Sequence, residues 1–270
     1  MRAVPTARIR PLVSRAPDPR GRYVLYWMIA QRRLRHSFAL DRAVEHAHAL
    51  GKPVLLFEAL RVDYEHASAR IHAFVTQGMD ANAAEARRHG VRYLRYVEPK
   101  HGAAQGLLRA LAEQACVVIT DDQPVFHVPR MTAAAARTVK TAMEAVDGCG
   151  LLPFRAAERR FTTAYSFRRH LQKTLPEHLR RLPTADPLRT LAGGPRAVVP
   201  RTILERWPSA QDLDSLPIDQ DVGATELTGG SRAGRTRLQR FVRERLPHYA
   251  EGRNDPAHDM SSGLSPYLHF

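Results

Sequence analysis

The sequence predicts an α/β fold, a parallel sheet with helices on both faces. Three observations predict it. Between Arg22 and about Gly150, short apolar runs alternate with longer stretches of helical spacing. The apolar runs are nearly continuous, as strands covered on both faces are, rather than alternating with polar residues. The composition, 44% hydrophobic and 25% charged, is that of an ordinary globular chain and excludes a disordered or collagen-like one.

Residues 1–20 carry Arg2, Arg8, Arg10, Arg15 and Arg20 with Pro5, Pro11, Pro17 and Pro19. With no continuous apolar core they are no secretory signal, and they are expected to form a disordered leader. The α/β domain is then expected over 21–150. Tyr23 to Met28 reads as the first strand, and Phe38 to Leu50 as a helix stopped by Gly51. Val54-Leu55-Leu56-Phe57 is a second strand, His66 to His89 a long helix, and Val91 to Val97 a third strand. Ala103 to Ala115 is helical, and Val117-Val118-Ile119-Thr120 is a fourth strand ending in Asp121-Asp122. Met131 to Val146 is read as an Ala-rich helix. Ligands of such sheets sit at the carboxyl ends of the strands. The sequence places Ala30-Gln31-Arg32-Arg33 and Asp121-Asp122 there.

The 270 residues carry 41 Lys+Arg against 27 Asp+Glu, a net +14, which favours an anionic partner such as nucleic acid or a phosphate-rich cofactor. Only Lys52, Lys100, Lys140 and Lys173 are lysines. Arginine forks phosphates well, although a GC-rich genome, which the many alanines suggest, explains most of the excess of Arg over Lys. No run approaches the roughly 20 apolar residues of a membrane span. Cys116 and Cys149 form neither a CxxC nor a zinc spacing; Cys116 reads as a buried free thiol, and the usage fits a cytoplasmic protein. No G-x-G-x-x-G follows the first strand, and no P-loop, nucleophile elbow or H-E-x-x-H occurs. His46 and His48 point to different helix faces, so no metal site is expected.

Residues 151–230 are read as a basic helix and a linker. Thr163 to Leu179 can form a helix with Phe167, Leu171 and Leu175 on one stripe. Around it stand Arg155, Arg159, Arg160, Arg168, Arg169, Lys173, Arg180 and Arg181 against Glu158 and Glu177. A phosphate-binding face and a solvated helix packed between domains are both open. Residues 183–230 are rich in Pro and Gly and read as a long connection lying on the surface. Residues 231–270 open with an amphipathic helix from Ser231 to Leu246.

The last stretch carries the chemistry. Ser265-Pro266 reads as a helix start, with Ser265 as N-cap. Ser261, Ser262 and the flexible Gly263 before it can turn hydroxyls and amides toward one point, which suits a phosphate; such a turn also serves simply as a cap. The order Tyr249-x-x-x-Arg253-Asn254-x-Pro256, then Ser261-Ser262-Gly263-Leu264-Ser265-Pro266-Tyr267-Leu268-His269-Phe270, resembles the start of the FAD-binding domain in the photolyase/cryptochrome family. The resemblance implies that Tyr249, Ser261, Ser262, Leu264 and Ser265, with the backbone of Gly263, hold the phosphates of FAD. It also implies that Arg253 lies near DNA. Tyr23 to Arg32, Val125 to Arg130 and Phe161 to Arg168 look most like the class II cyclobutane-pyrimidine-dimer photolyases.

From the resemblance we expect a Rossmann-like antenna domain, the linker, and the first helices of an all-α FAD-binding domain. The family's activity is light-driven, flavin-dependent splitting of pyrimidine dimers in DNA; the flavin carries that chemistry, so no catalytic side chain is assigned. The antenna chromophore is not legible. The sequence stops about one turn into the helix after Ser265, and its tryptophans, Trp27 and Trp207, do not stand where the family's electron relay would. A C-terminally truncated, monomeric chain that is inactive alone is therefore expected. A cryptochrome-type photoreceptor fragment and a non-enzymatic nucleotide- or DNA-binding module are the other readings.

Overall fold

The computed structural model describes residues 3–157 and 159–270; Met1, Arg2 and Glu158, named above for the leader and the basic segment, lie outside the described residues. Six strands, β1 (Ile9–Val13), β2 (Tyr23–Met28), β3 (Val54–Leu60), β4 (Arg92–Val97), β5 (Ala115–Asp122) and β6 (Met143–Asp147), form one sheet in the order β1-β6-β5-β2-β3-β4. All pairs are parallel except β1 with β6. The chain runs outward from β2 to β3 and β4, then returns to place β5 on the other side of β2. That reversal is the topological switch at which α/β sheets leave a crevice.

Every residue of β2 is buried, because both faces are covered. Val24, Tyr26 and Met28 meet α1 (Phe38–Leu50) through Phe38, Leu40, Ala43 and Val44. Tyr23, Leu25 and Trp27, of opposite parity, meet α3 (Leu107–Ala112) and α4 (Val128–Thr138) through Leu107, Leu111 and Ala135. Ser37 caps α1 by accepting from the Leu40 amide at 3.2 Å, and Gly51 ends it in the left-handed conformation, φ 62°. α2 (Ala69–Arg88) is capped by Ser68.

Four readings need correction. The expected disordered leader, over the residues described, holds β1 and a buried arginine. Arg8 is 2% exposed, lies over the Phe38 ring at 4.2 Å and donates to the carbonyls of Asp147, Gly150 and Leu151. Pro11 is tolerated because β1 is an edge strand. The helix expected from Met131 to Val146 is two elements, α4 and then β6. Met143, Glu144 and Ala145 have no strand bias of their own; pairing with β5 and β1 decides their state. The helix expected from Ala103 begins only at Leu107, because Gly102 and Gly106 take φ of 74° and 85°. Ser265 is the first residue of its helix rather than the N-cap, as described below.

Beyond the sheet, α5 (Ala164–His178) is followed by a connection that includes α6 (Arg201–Arg206). That connection lies across the α/β part: Leu188 enters the core under α1, Ile203 joins the cluster at α3, and Leu216 packs with Val62, Val75 and Met79. The C-terminal segment comprises α7 (Ser231–Arg240), a π-turn at Phe241–Arg245, α8 (Tyr249–Gly252) and α9 (Ser265–His269). It rests on α2: the Gly229 backbone lies so close to the Phe74 carbonyl that any Cβ would clash, and Tyr267 and Phe270 pack on the Phe74 ring at 5.3 and 5.9 Å.

Candidate functional site

The crevice between β2 and β5 is filled by the chain's own groups. Asp121, at the end of β5, accepts from the amides of Ile29, Ala30 and Gln31 at 3.0, 2.8 and 2.9 Å and from the Tyr26 hydroxyl at 2.8 Å. In this fold the first strand-to-helix turn is the usual anion seat; here a carboxylate of the protein occupies it. Asp122 binds Arg10 and Arg155. Its burial raises its pKa, but the two guanidinium groups outweigh that and leave it below the usual carboxylate range. Buried Glu58 accepts from Arg32, Asn82 and Tyr93. The Tyr93 hydroxyl is pushed well up, first by burial and then by Glu58. Sequence reading placed Arg32 and the Asp pair at this edge but missed Arg10, Glu58 and Arg155. No motif marks those three, and only the strand order brings them together.

Glu85, His89 and Asp186 are, among the described residues, the one set of His, Cys or carboxylate groups close enough to share a metal. Arg35 already bridges Glu85 and Asp186 at 2.7 and 3.2 Å. The cluster is thus an ion pair network that fastens the linker to α2.

The predicted C-terminal residues fall into two groups. Ser261, Ser262, Gly263, Leu264 and Ser265 form one turn. Ser262 Oγ accepts from the Leu264 amide at 3.3 Å, and Gly263 adopts φ 62° with the Arg237 guanidinium where a Cβ would stand. α9 starts at Ser265, leaving at the cap position Leu264, whose apolar side chain has no acceptor to offer an orphan amide. Tyr249 and Arg253 form the second group. Tyr249 packs edge-on to Phe241 at 5.8 Å, and Arg253 lies 6.0 Å over its ring.

Arg237 and Arg245 flank the turn, and neither was singled out for it by the sequence reading. Arg237 donates to the Ser262 carbonyl at 3.1 Å, and Arg245 donates to the Ser261 carbonyl at 3.0 Å. Asp259 fills the space between them. It accepts from Arg245 at 2.8 Å and from the Ser261 hydroxyl at 2.7 Å, and it lies 4.0 Å from Arg237. Those contacts, Ser261 first and Arg245 second, hold its pKa below the usual range. An exposed carboxylate therefore sits where two guanidinium groups, a serine hydroxyl and a glycine turn converge. That donor set fits a phosphate or pyrophosphate.

No family model matches the sequence. The chain is similar to the deoxyribodipyrimidine photo-lyase of Methanothermobacter thermautotrophicus, 27% identical over 265 residues, covering 97% of this chain and 56% of that protein. It is similar to those of Arabidopsis thaliana (26%; 92% of this chain, 50% of that one) and Oryza sativa subsp. japonica (28%; 98% and 53%). The chain spans about half the length of these curated relatives. Two solved structures share the fold. A class III photolyase from Agrobacterium tumefaciens has a TM-score of 0.63 at 19% identity, covering 95% of this chain and 52% of that one. An archaeal photolyase from Sulfolobus tokodaii, solved with two FAD molecules, has 0.59 at 14%, covering 91% and 51%.

Proposed function

We propose, from its similarity to deoxyribodipyrimidine photo-lyases over nearly all of its length, that the chain is the N-terminal portion of an enzyme of the photolyase family. The activity we assign to the whole protein is light-driven, flavin-dependent repair of cyclobutane pyrimidine dimers in DNA. The observation that carries the reading is the arginine-flanked serine turn, whose donors suit the pyrophosphate of FAD. Ser261, Ser262, Ser265 and the Gly263 backbone would face the phosphates, with Leu264 shaping the turn, Tyr249 closing the side and Arg253 directed toward DNA. When bound, the flavin supplies the electron that splits the dimer.

We divide the chain as an antenna-type domain at 21–150, a basic helix and linker at 151–230, and the start of the flavin domain at 231–270. We assign class II on the motifs around Tyr23, Val125 and Phe161, and place the protein as a cytoplasmic monomer. In the 270-residue chain the turn is only partly covered and α9 buries no residue. We therefore infer weak FAD retention and no repair by this chain alone.

The test is expression of the gene with any reading frame that follows the codon for Phe270. The measurement is loss of cyclobutane dimers from ultraviolet-irradiated DNA under blue light and in the dark. Repair only in the light is the expected outcome. Stable flavin binding without repair would overturn it in favour of a cryptochrome-type photoreceptor. DNA binding without flavin would overturn it in favour of a non-enzymatic module.

A further inference from the structure

Positive charge is also gathered around α5, on residues other than those of the serine turn. Helix α5 contains no buried residue. Tyr165, Arg168, Arg169, Gln172 and Lys173 recur at spacings of three and four, so they share one face, and all five are exposed. Arg159 and Arg160 stand before the helix and Arg180 and Arg181 after it, also exposed. Among the described residues, none of these seven cations is paired with a carboxylate.

The contrast with α7 is informative. At α7 and the π-turn after it, Arg240 and Arg243 pair with Glu244 and Arg237 and Arg245 with Asp259, while Arg232 and Arg235 have no carboxylate partner among the described residues. Around α5, among the described residues, two of the guanidinium groups have rings as partners. Arg159 lies 5.3 Å over Phe161 and Arg169 6.0 Å over Tyr165. Tyr165 is 67% exposed, so that pair stands out in solvent. A ring beneath a guanidinium fixes its plane without neutralising its charge. It leaves the fork of N–H donors free for a phosphate.

We propose that the outward face of α5 is a docking surface for the phosphate backbone of duplex DNA. The face and a duplex are complementary in charge along a rod. A helix of 15 residues is about 22 Å long. A duplex presents one phosphate charge per roughly 1.7 Å of its axis, so a cation row of this length meets a dense counter-charge. The surface uses none of residues 249–265, so it survives if the flavin reading fails, and the flavin reading survives without it.

The test is fluorescence anisotropy of a labelled, undamaged DNA duplex titrated with the 270-residue chain at several NaCl concentrations. R168Q/R169Q/K173Q is expected to weaken binding about 10- to 100-fold at low salt and to make the log–log salt slope shallower by about 3. R130Q/R137Q/R189Q removes the same charge from exposed positions elsewhere and is expected to change little. Y165A should weaken binding by about 2- to 5-fold without altering the slope. Circular dichroism melting establishes that each variant folds, and the single change K173Q, with a slope shallower by about 1, serves if the triple does not. Equal losses in the two triple variants would reduce the effect to net charge and overturn the proposal. Unchanged binding by the α5 triple would overturn it too, as would preferential binding to phosphatidylglycerol vesicles.

Discussion

The α/β part, residues 8–147, and the helical segment of residues 231–270 handle charge in opposite ways. In the α/β part, several charged groups are buried and answered by fixed partners of the same chain. Asp121, 1% exposed, has four donors, and Glu58 and Arg8 are similarly enclosed. In the C-terminal segment the charges lie at the surface, and the carboxylate that joins Arg237, Arg245 and Ser261 is 59% exposed. A buried carboxylate cannot leave without stranding its donors. An exposed one can be exchanged for another anion at little cost. The first region is thus scaffold, and the second is where a ligand can replace the protein's own group.

The sharpest way to break this contrast is to remove the buried carboxylate. Asp121→Ala leaves three amides and the Tyr26 hydroxyl without their acceptor. Each stranded buried donor costs about 1–3 kcal/mol. Allowing for partial relaxation, urea unfolding should show a loss of about 3–5 kcal/mol. A loss below about 1 kcal/mol would mean that water replaces the carboxylate freely, and that the crevice is not sealed.

A milder change separates the regions by pH. Glu144 on β6 is desolvated, which raises its pKa, yet Arg42 and His46 overcome this and hold it at about 2. A carboxylate depressed in the folded state contributes stability that is complete above its unfolded value, near 4.5, and is lost as the pH falls toward 2. Glu144→Gln should therefore cost about 2–3 kcal/mol at neutral pH, and the gap to the parent chain should close between those two values. A gap that stayed constant down to pH 2 would assign the cost to lost packing instead of charge.

The contrast also explains what the sequence made legible. β2, residues 54–57 of β3 and residues 115–119 of β5 are continuous apolar runs, and α1 is bracketed by Ser37 and Gly51. Local pattern and tertiary role agree there. They diverge at the sheet's far edge. Ile9 to Val13 is broken by Arg10 and Pro11, and Met143 to Asp147 has helix-forming residues, so only pairing with neighbouring strands makes either a strand. At the serine turn, the motif gave Ser261 to Ser265 because those residues are contiguous. Arg237, Arg245 and Asp259 come from separate parts of the segment and converge only through the folding of α7 over α9. No spacing rule announces them.

The smallest expected effect tests the exchange itself. If Asp259 holds the place of a phosphate, it competes with one, since both need Arg245 and the Ser261 hydroxyl. Asp259→Ala should then tighten FAD binding, measured by quenching of flavin fluorescence, by about 2- to 5-fold, the scale of an exposed ion pair. Arg245→Gln should weaken it by a similar factor. Neither should move the melting of the α/β part, because both side chains lie outside its core. A weaker FAD affinity in Asp259→Ala would show that the carboxylate shapes the turn for its ligand, and the competition argument would fail. An unchanged affinity in both variants would move the phosphates away from this turn altogether.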